Sequence, residues 1–270
     1  MKIVLFYIIS IMIKHKKISL RFYEELNDFL LKEKRKKRFE HNYIDLVSVK
    51  DVIESLGVPH TEVDLILVNG KSAGFNYLIN DGDDISVYPV FESLDISDVQ
   101  HLRPKPLRKP KFICDVHLGK LARYLRMMGF DVLYKNSFDD EEIVRLSTKE
   151  RRAILTRDRG ILKRSEVAHG YFIRSSEVEK QTEEVVKRFD LQNSIKEFTR
   201  CLDCNHKLIK ITKAKIEEEL PPKVASSQNE FFPEGMDFHK CPGCSKLYWK
   251  GTHYQKMLSF VQNIKGKNFS

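Results

Sequence analysis

The sequence predicts an α/β protein built around a three-layer parallel-sheet domain, with a small α+β domain before it and a four-cysteine ribbon after it. Three observations carry this reading. Between Lys111 and Phe189 short apolar runs alternate with helical periodicity, the pattern of a parallel sheet joined by crossover helices. From Ile18 to about Phe91 the order is two strands, one helix and further strands, an α+β arrangement. Four of the five cysteines fall in two C-x2-C pairs, Cys201/Cys204 and Cys241/Cys244. The expected divisions of the 270 residues are an apolar and basic extension (1–17), the α+β domain (18–92), a Pro/basic linker (93–110), the parallel-sheet domain (111–192), the ribbon (193–256) and a tail (257–270).

A hydrophobic share of 41% is enough for packed cores, and 47 Lys and Arg against 38 Asp and Glu give a formal charge of +9. That balance favours a polyanionic partner such as nucleic acid, although a basic surface alone is also an ordinary way to stay in solution. Paired rather than scattered cysteines argue against a secreted disulfide framework, so the expected setting is reducing and cytoplasmic. The first thirteen residues are nearly all apolar but shorter than the roughly 20 that span a bilayer. They lack a small-residue cleavage site before Lys14-His15-Lys16-Lys17. A leader and a start assigned upstream of Met12 are both open readings. The segment receives no function, and no stable membrane association is expected.

In chain order, a strand is expected at Ile18–Phe22, then the basic run Lys32–Arg38, then a strand near Phe39–Leu46. Ser48 can cap a helix that buries Val52, Ile53 and Leu56 and closes at Gly57. Strands at Leu65–Val68 and Ile85–Tyr88 follow, the first ended by an Asn69-Gly70 turn. With Val68-Asn69-Gly70-Lys71 and Asp81–Pro89, this unit resembles the ubiquitin-like β-grasp of small sulfur-carrier proteins. Those carriers end in a free Gly-Gly, whereas this chain continues through Tyr88-Pro89-Val90-Phe91. Docking a protein partner or contacting RNA is therefore a better expectation than sulfur transfer, with a plain spacer as the other reading. Pro104, Pro106 and Pro110 among basic residues mark the linker.

The central domain opens with Phe112-Ile113-Cys114 before Asp115. A helix at Leu118–Met128 follows, burying Leu118, Leu121, Ala122, Leu125 and Met128 with Lys120 and Arg123 off that face and Arg126 open to either side, and Gly129 stops it. After a strand at Val132–Tyr134, Ser137 and Asp140 have capping-box spacing ahead of a helix through Ile143 and Leu146. The strand Ala153–Thr156 leads to Asp158, then come a strand at Tyr171–Ile173 and a helix at about Glu177–Phe189. Right-handed crossovers bring every strand-to-helix turn to one edge of such a sheet, so Asp115, Asp139, Asp140 and Asp158 are candidates to share a pocket. Clustered carboxylates are hard oxygen donors suited to Mg²⁺ or Mn²⁺, which polarise a phosphodiester and activate water. Lys120, Arg123, Arg157 and Arg159 are the candidate phosphate contacts. Helix capping is the commoner reading of any one of these aspartates, but three of them at the ligand-binding edge with arginines beside them favour a shared site.

Three motifs, Cys114–Asp131, Asp139–Ile143 and Ile154–Leu162, closely resemble the Mut-seven C-terminal ribonuclease domain family, a branch of the PIN-type nucleases that often carries a zinc ribbon and sometimes follows a ubiquitin-like domain. The resemblance implies metal-dependent cleavage of RNA, with Asp115, Asp140 or Asp139, and Asp158 at the acidic positions. Glu141 and Glu166 are candidates for a fourth acid. A protein that keeps this fold as an RNA-binding or assembly adaptor without turnover is the alternative.

Two C-x2-C turns aim four thiolates at one ion, so Cys201, Cys204, Cys241 and Cys244 are expected to hold a structural Zn²⁺ with no open coordination position. The 36 residues between Cys204 and Cys241 imply an inserted loop, and His206 and His239 are bystanders. Cys114 reads as a buried small hydrophobe. Tyr248, Trp249 and Tyr254 interleaved with Lys246, Lys250 and Lys256 suit base stacking with phosphate contact, or the packing of a small ribbon core.

Overall fold

The computed structural model describes residues 16–44, 46–89, 102, 109–212, 214–215 and 237–267. The apolar extension up to residue 15, most of the linker and the Pro221–Asn229 part of the ribbon insertion lie outside the described residues. In chain order the elements begin with β1 (Lys16–Phe22), β2 (Phe39–Tyr43), α1 (Val49–Ser55), β3 (Leu65–Val68), β4 (Lys71–Ser72) and β5 (Asp84–Tyr88). Then come β6 (Lys111–Cys114), α2 (Gly119–Met127), β7 (Val132–Leu133), α3 (Asp140–Glu150), β8 (Arg152–Thr156), α4 (Arg159–Leu162), β9 (Gly170–Phe172) and α5 (Val178–Arg188). The chain closes with β10 (Ile209–Ile211), β11 (Phe238–Lys240), β12 (Leu247–Tyr248) and α6 (Thr252–Gly266). No helix among the described residues is long and apolar enough to cross a membrane. The chain divides into two compact units, one of residues 1–108 and 158–172, the other of 109–157 and 173–270.

The first unit is a β-grasp. Its sheet runs β2-β1-β5-β3-β4, with β1 and β5 parallel at the centre and antiparallel neighbours on either side. Ile18, Leu20 and Phe22 alternate inward along β1, and Ile85 and Val87 do so along β5. Register pairs Leu20 with Ile85 and Phe22 with Val87, so these side chains form one sheet of core against Val49, Val52 and Ile53 of α1. Ser48 and Asp51 form a reciprocal capping box at the start of α1, as the Ser48 signal foretells. Asn69 and Gly70 both take positive φ, 51° and 78°, the backbone of a type I′ turn, and they close the β3–β4 hairpin. The second strand ends at Tyr43, before the expected Leu46. In the 158–172 segment of this unit, Lys163 donates to the Glu54 carbonyl at 2.6 Å, and the Phe172 amide donates to Glu62 at 2.7 Å.

The second unit is the parallel α/β domain with its ribbon. Within it β6 lies between β7 and β8, all parallel, with Phe112 beside Val132 and Ala153. β6 and β8 are almost wholly buried, which explains why both read as unbroken apolar runs rather than alternating ones. Leu121, Ala122 and Leu125 of α2 and Val185 and Val186 of α5 are buried, while Phe189 meets Phe112 edge-on at 5.0 Å. One expectation is corrected. Helix α3 is capped by Asp139, whose carboxylate accepts the Glu142 amide at 2.8 Å, and not by a Ser137/Asp140 box, because the first helical residue is Asp140 itself. Arg126, whose side the sequence leaves open, is 2% exposed, and backbone carbonyls satisfy its guanidinium.

Candidate functional site

Each aspartate singled out by sequence starts a helix. Asp115 leaves β6 with its amide bonded to the Leu155 carbonyl, and its Oδ1 caps a short helical turn through the His117 amide at 3.4 Å. Its Oδ2 accepts the Thr156 hydroxyl at 2.8 Å, so the ends of two adjacent parallel strands fix this half-buried carboxylate. Thr156 carries no sequence signal beyond being the last residue of an apolar strand. Asp139 caps α3, while Asp140 and Glu141 stand exposed in its first turn. Asp158 and Glu166 belong to the first unit, where the Asp158 carboxylate accepts the Gly160 amide at 2.7 Å as the cap of α4. Carboxylates at helix starts gain from the positive end of the helix dipole, so these positions suit anionic side chains in the absence of any ion.

A cleft of about 750 Å³ is lined by Val116 and His117, the two residues after Asp115, and among others by Lys120, Arg123, Tyr134, Gln181 and Asp203. Lys120 is exposed on this cleft, and Arg123 lies 3.7 Å from the Asp203 carboxylate while keeping over half of its side chain exposed. Asp203 also pairs with Lys246, and that bond holds its carboxyl below the usual range. Arg157 is exposed and donates to the Ser175 carbonyl at 3.0 Å. Arg159, in the first unit, lies over the rings of Phe29 and Phe172, 5.0 and 5.5 Å from their centres.

The four cysteines converge. Their sulfurs all lie within 4.8 Å of one another, and among the described residues no other group of three or more His, Cys, Asp or Glu side chains is gathered closely enough to share one ion. Tetrahedral Zn–S bonds of about 2.3 Å require sulfurs about 3.8 Å apart, and Cys201–Cys244 and Cys204–Cys241 stand at 3.6 and 3.2 Å. The two knuckles repeat one design. The amide of the residue after the second cysteine bonds the carbonyl of the first, Asn205 to Cys201 and Ser245 to Cys241, and both of these residues take positive φ. Burial raises the Cys201 thiol, but hydrogen bonds from Tyr248 and from the Cys204 and Asp203 amides outweigh it and bring it down to about 6. This set of donors can hold a metal such as zinc. His206 sits 3.4 Å from Cys204 at the margin of the site. Cys114 is fully buried, and burial pushes its thiol far above the usual range.

Sequence reasoning missed the residues that tie this ribbon to the α/β sheet. Arg126 donates to the Val132 carbonyl at 3.0 Å and to the Leu202 and Asp203 carbonyls at 3.0 and 2.8 Å, reaching from α2 into the first knuckle. Asp131 accepts from Arg152, Arg200 and Asn205. Burial alone would raise its carboxyl, but the Arg152 and Asn205 hydrogen bonds and the two guanidinium charges hold it below the usual range. The end of α2 is closed by the segment entering the ribbon: Lys196 and Phe198 amides bond the Met128 and Met127 carbonyls at 2.9 and 2.8 Å.

No curated protein and no solved structure matches the chain. Residues 15–95 match the family described as Mut7-C ubiquitin, and residues 110–261 match the family described as Mut7-C RNAse domain. The second match spans more than half of the chain, beginning just before β6 and taking in Asp115, the cleft and all four cysteines, and the chain therefore belongs to the Mut7-C RNAse domain family.

Proposed function

We propose that this protein is a metal-dependent ribonuclease that hydrolyses RNA phosphodiester bonds, with the ribbon helping to hold the RNA and the β-grasp available to a protein partner. The observation that carries it is Asp115, locked by Thr156 at the end of β6 and followed directly by Val116 and His117, which line a cleft that also bears Lys120 and Arg123. Half-buried Asp115 and the exposed Asp139 and Asp140 fit Mg²⁺ or Mn²⁺ by chemistry, since carboxylates are the hard donors these ions prefer. Asp115 and Asp140, or Asp139, would hold the ion, and Asp158 enters the proposal from the sequence motif. When bound, the ion supplies a polarised phosphoryl oxygen and a more acidic water. Thr156 fixes the rotamer of Asp115 through its hydroxyl, and Lys120 and Arg123 offset phosphate charge along the cleft. A cytoplasmic setting, with its reduced thiols, suits the four-cysteine centre.

The test is cleavage of end-labelled single-stranded and structured RNAs with Mn²⁺, with Mg²⁺ or with neither. Metal-dependent products support the reading. Tight RNA binding without products from any substrate would favour the alternative, an RNA-binding adaptor that has kept the fold.

A further inference from the structure

A second cavity, of about 330 Å³, lies in the ribbon and shares Leu202 with the Lys120/Arg123 cleft. Its size is at the small end of the roughly 300–1,000 Å³ that ligand sites occupy. Four aromatic residues, Phe198, Tyr248, Trp249 and Tyr254, contribute to its wall. Phe198 and Tyr254 stand with ring centres 4.6 Å apart and planes 42° from parallel, and Trp249 joins them with 41% of its surface exposed. Tyr248 anchors this wall to the metal centre, because its hydroxyl accepts the Leu202 amide at 3.0 Å and lies 3.1 Å from the Cys201 sulfur.

The polar groups at the rim are of both kinds. His239 and Lys250 offer donors, and Asp237 and Glu197 offer acceptors. Both acids are already paired, Asp237 with Lys210 at 2.5 Å and Glu197 with Lys265 at 2.6 Å, so they present acceptor oxygens without a net negative rim. Flat apolar faces with mixed donors and acceptors at the edge are complementary to a nucleobase. Duplex RNA keeps its base faces stacked, so only an unstacked base can enter.

We propose that this cavity holds one base of single-stranded RNA, stacked against Trp249 and Tyr254, while the adjoining strand runs past Leu202 to the Lys120/Arg123 cleft. The proposal rests on the RNA-directed reading above and gives it a substrate class: RNA with an unpaired base beside the cut.

Trp249 is the sole tryptophan of the chain, so its fluorescence reports on this cavity alone. The zinc-loaded full-length protein, without added Mg²⁺ or Mn²⁺, is titrated with a short single-stranded oligoribonucleotide, with a base-free strand of equal length and with a duplex. Saturable change in Trp249 emission is expected with the first only. Tyr254→Ala should weaken that binding by between about fivefold and a hundredfold, with Tyr254→Phe restoring it and zinc content unchanged in both. Equal affinity for the base-free strand, or saturable RNA binding followed by anisotropy with silent Trp249, would overturn the proposal. Cleavage by the same preparation in Mn²⁺ separates the two readings: products with a silent Trp249 reject the base site and keep the nuclease, whereas a Trp249 response without products does the reverse.

Discussion

Asn205 joins the first cysteine knuckle to the α/β sheet: its side-chain Nδ2 donates to Asp131 at 2.8 Å while its side-chain Oδ1 accepts the Val132 amide at 3.0 Å. The same residue takes the left-handed backbone, φ 70°, that completes the knuckle, and asparagine tolerates that conformation better than most side chains. Asn205→Ala strands a buried amide and one lone pair of a carboxylate, so it should cost about 1–3 kcal/mol. Denaturant unfolding of the zinc-loaded protein measures it.

The pH dependence follows from Asp131. Its folded carboxyl titrates below the unfolded value of about 3.9, so its ion pairs with Arg152 and Arg200 contribute fully above that value. The contribution fades as pH falls through the folded value. Asp131→Asn should therefore be less stable than the wild type by a constant margin at neutral pH, and the gap should close in acid below about pH 4. Thermal midpoints of both proteins across pH 3 to 7 would show the convergence, and parallel curves would refute it.

Gly129 ends α2 at φ +93°, and a Cβ there would stand 2.2 Å from the Lys196 carbonyl oxygen. The obstacle is backbone, already held by bonds to Met127 and Met128, and cannot swing aside. Gly129→Ala combines a left-handed strain with that clash and should cost at least about 2 kcal/mol. A loss below 0.5 kcal/mol in unfolding experiments, within the ordinary range for surface changes, would show that the ribbon segment is not clamped here.

Chelation should remove about one zinc per chain, as a closed four-thiolate site implies, and expose the ribbon to limited proteolysis. Cys204→Ser should bring the same sensitivity without chelator. Cys114→Ser, in β6 and remote in chemistry from the cluster, should retain its metal, as elemental analysis would show.

Much of the fold is legible because its determinants are local. Alternation in β1, unbroken apolar runs in β6 and β8, the Ser48 cap and the Asn69-Gly70 turn each act over a few residues. The knuckles are legible for the same reason: C-x2-C is a local device, and two of them have one simple solution. Arg126 is not decided by sequence, since it lies four residues after buried Ala122 at the margin of the apolar face, and the carbonyls of Leu202 and Asp203, some 76 residues away, are what hold it buried. Ser137 misleads because the helix starts two residues later than its spacing suggests, with Asp139 as the cap accepting the Glu142 amide. Asp131 and Asn205 are likewise silent in sequence, since each matters only once the ribbon has docked on the sheet.

In the proposed nuclease the carboxylate at the end of β6 serves hydrolysis of RNA. Asp115→Asn keeps the shape of the side chain and an acceptor for Thr156 while removing the charge that would hold a divalent ion. Changes one shell away from a metal cost roughly 10–100-fold, so loss of a ligand should cost at least about a hundredfold. The measurement is the Mn²⁺-dependent cleavage rate of one end-labelled RNA by wild type and Asp115→Asn, with affinity for that RNA followed in parallel. The account predicts that the rate collapses while affinity is kept. A variant that cuts at the wild-type rate would contradict it.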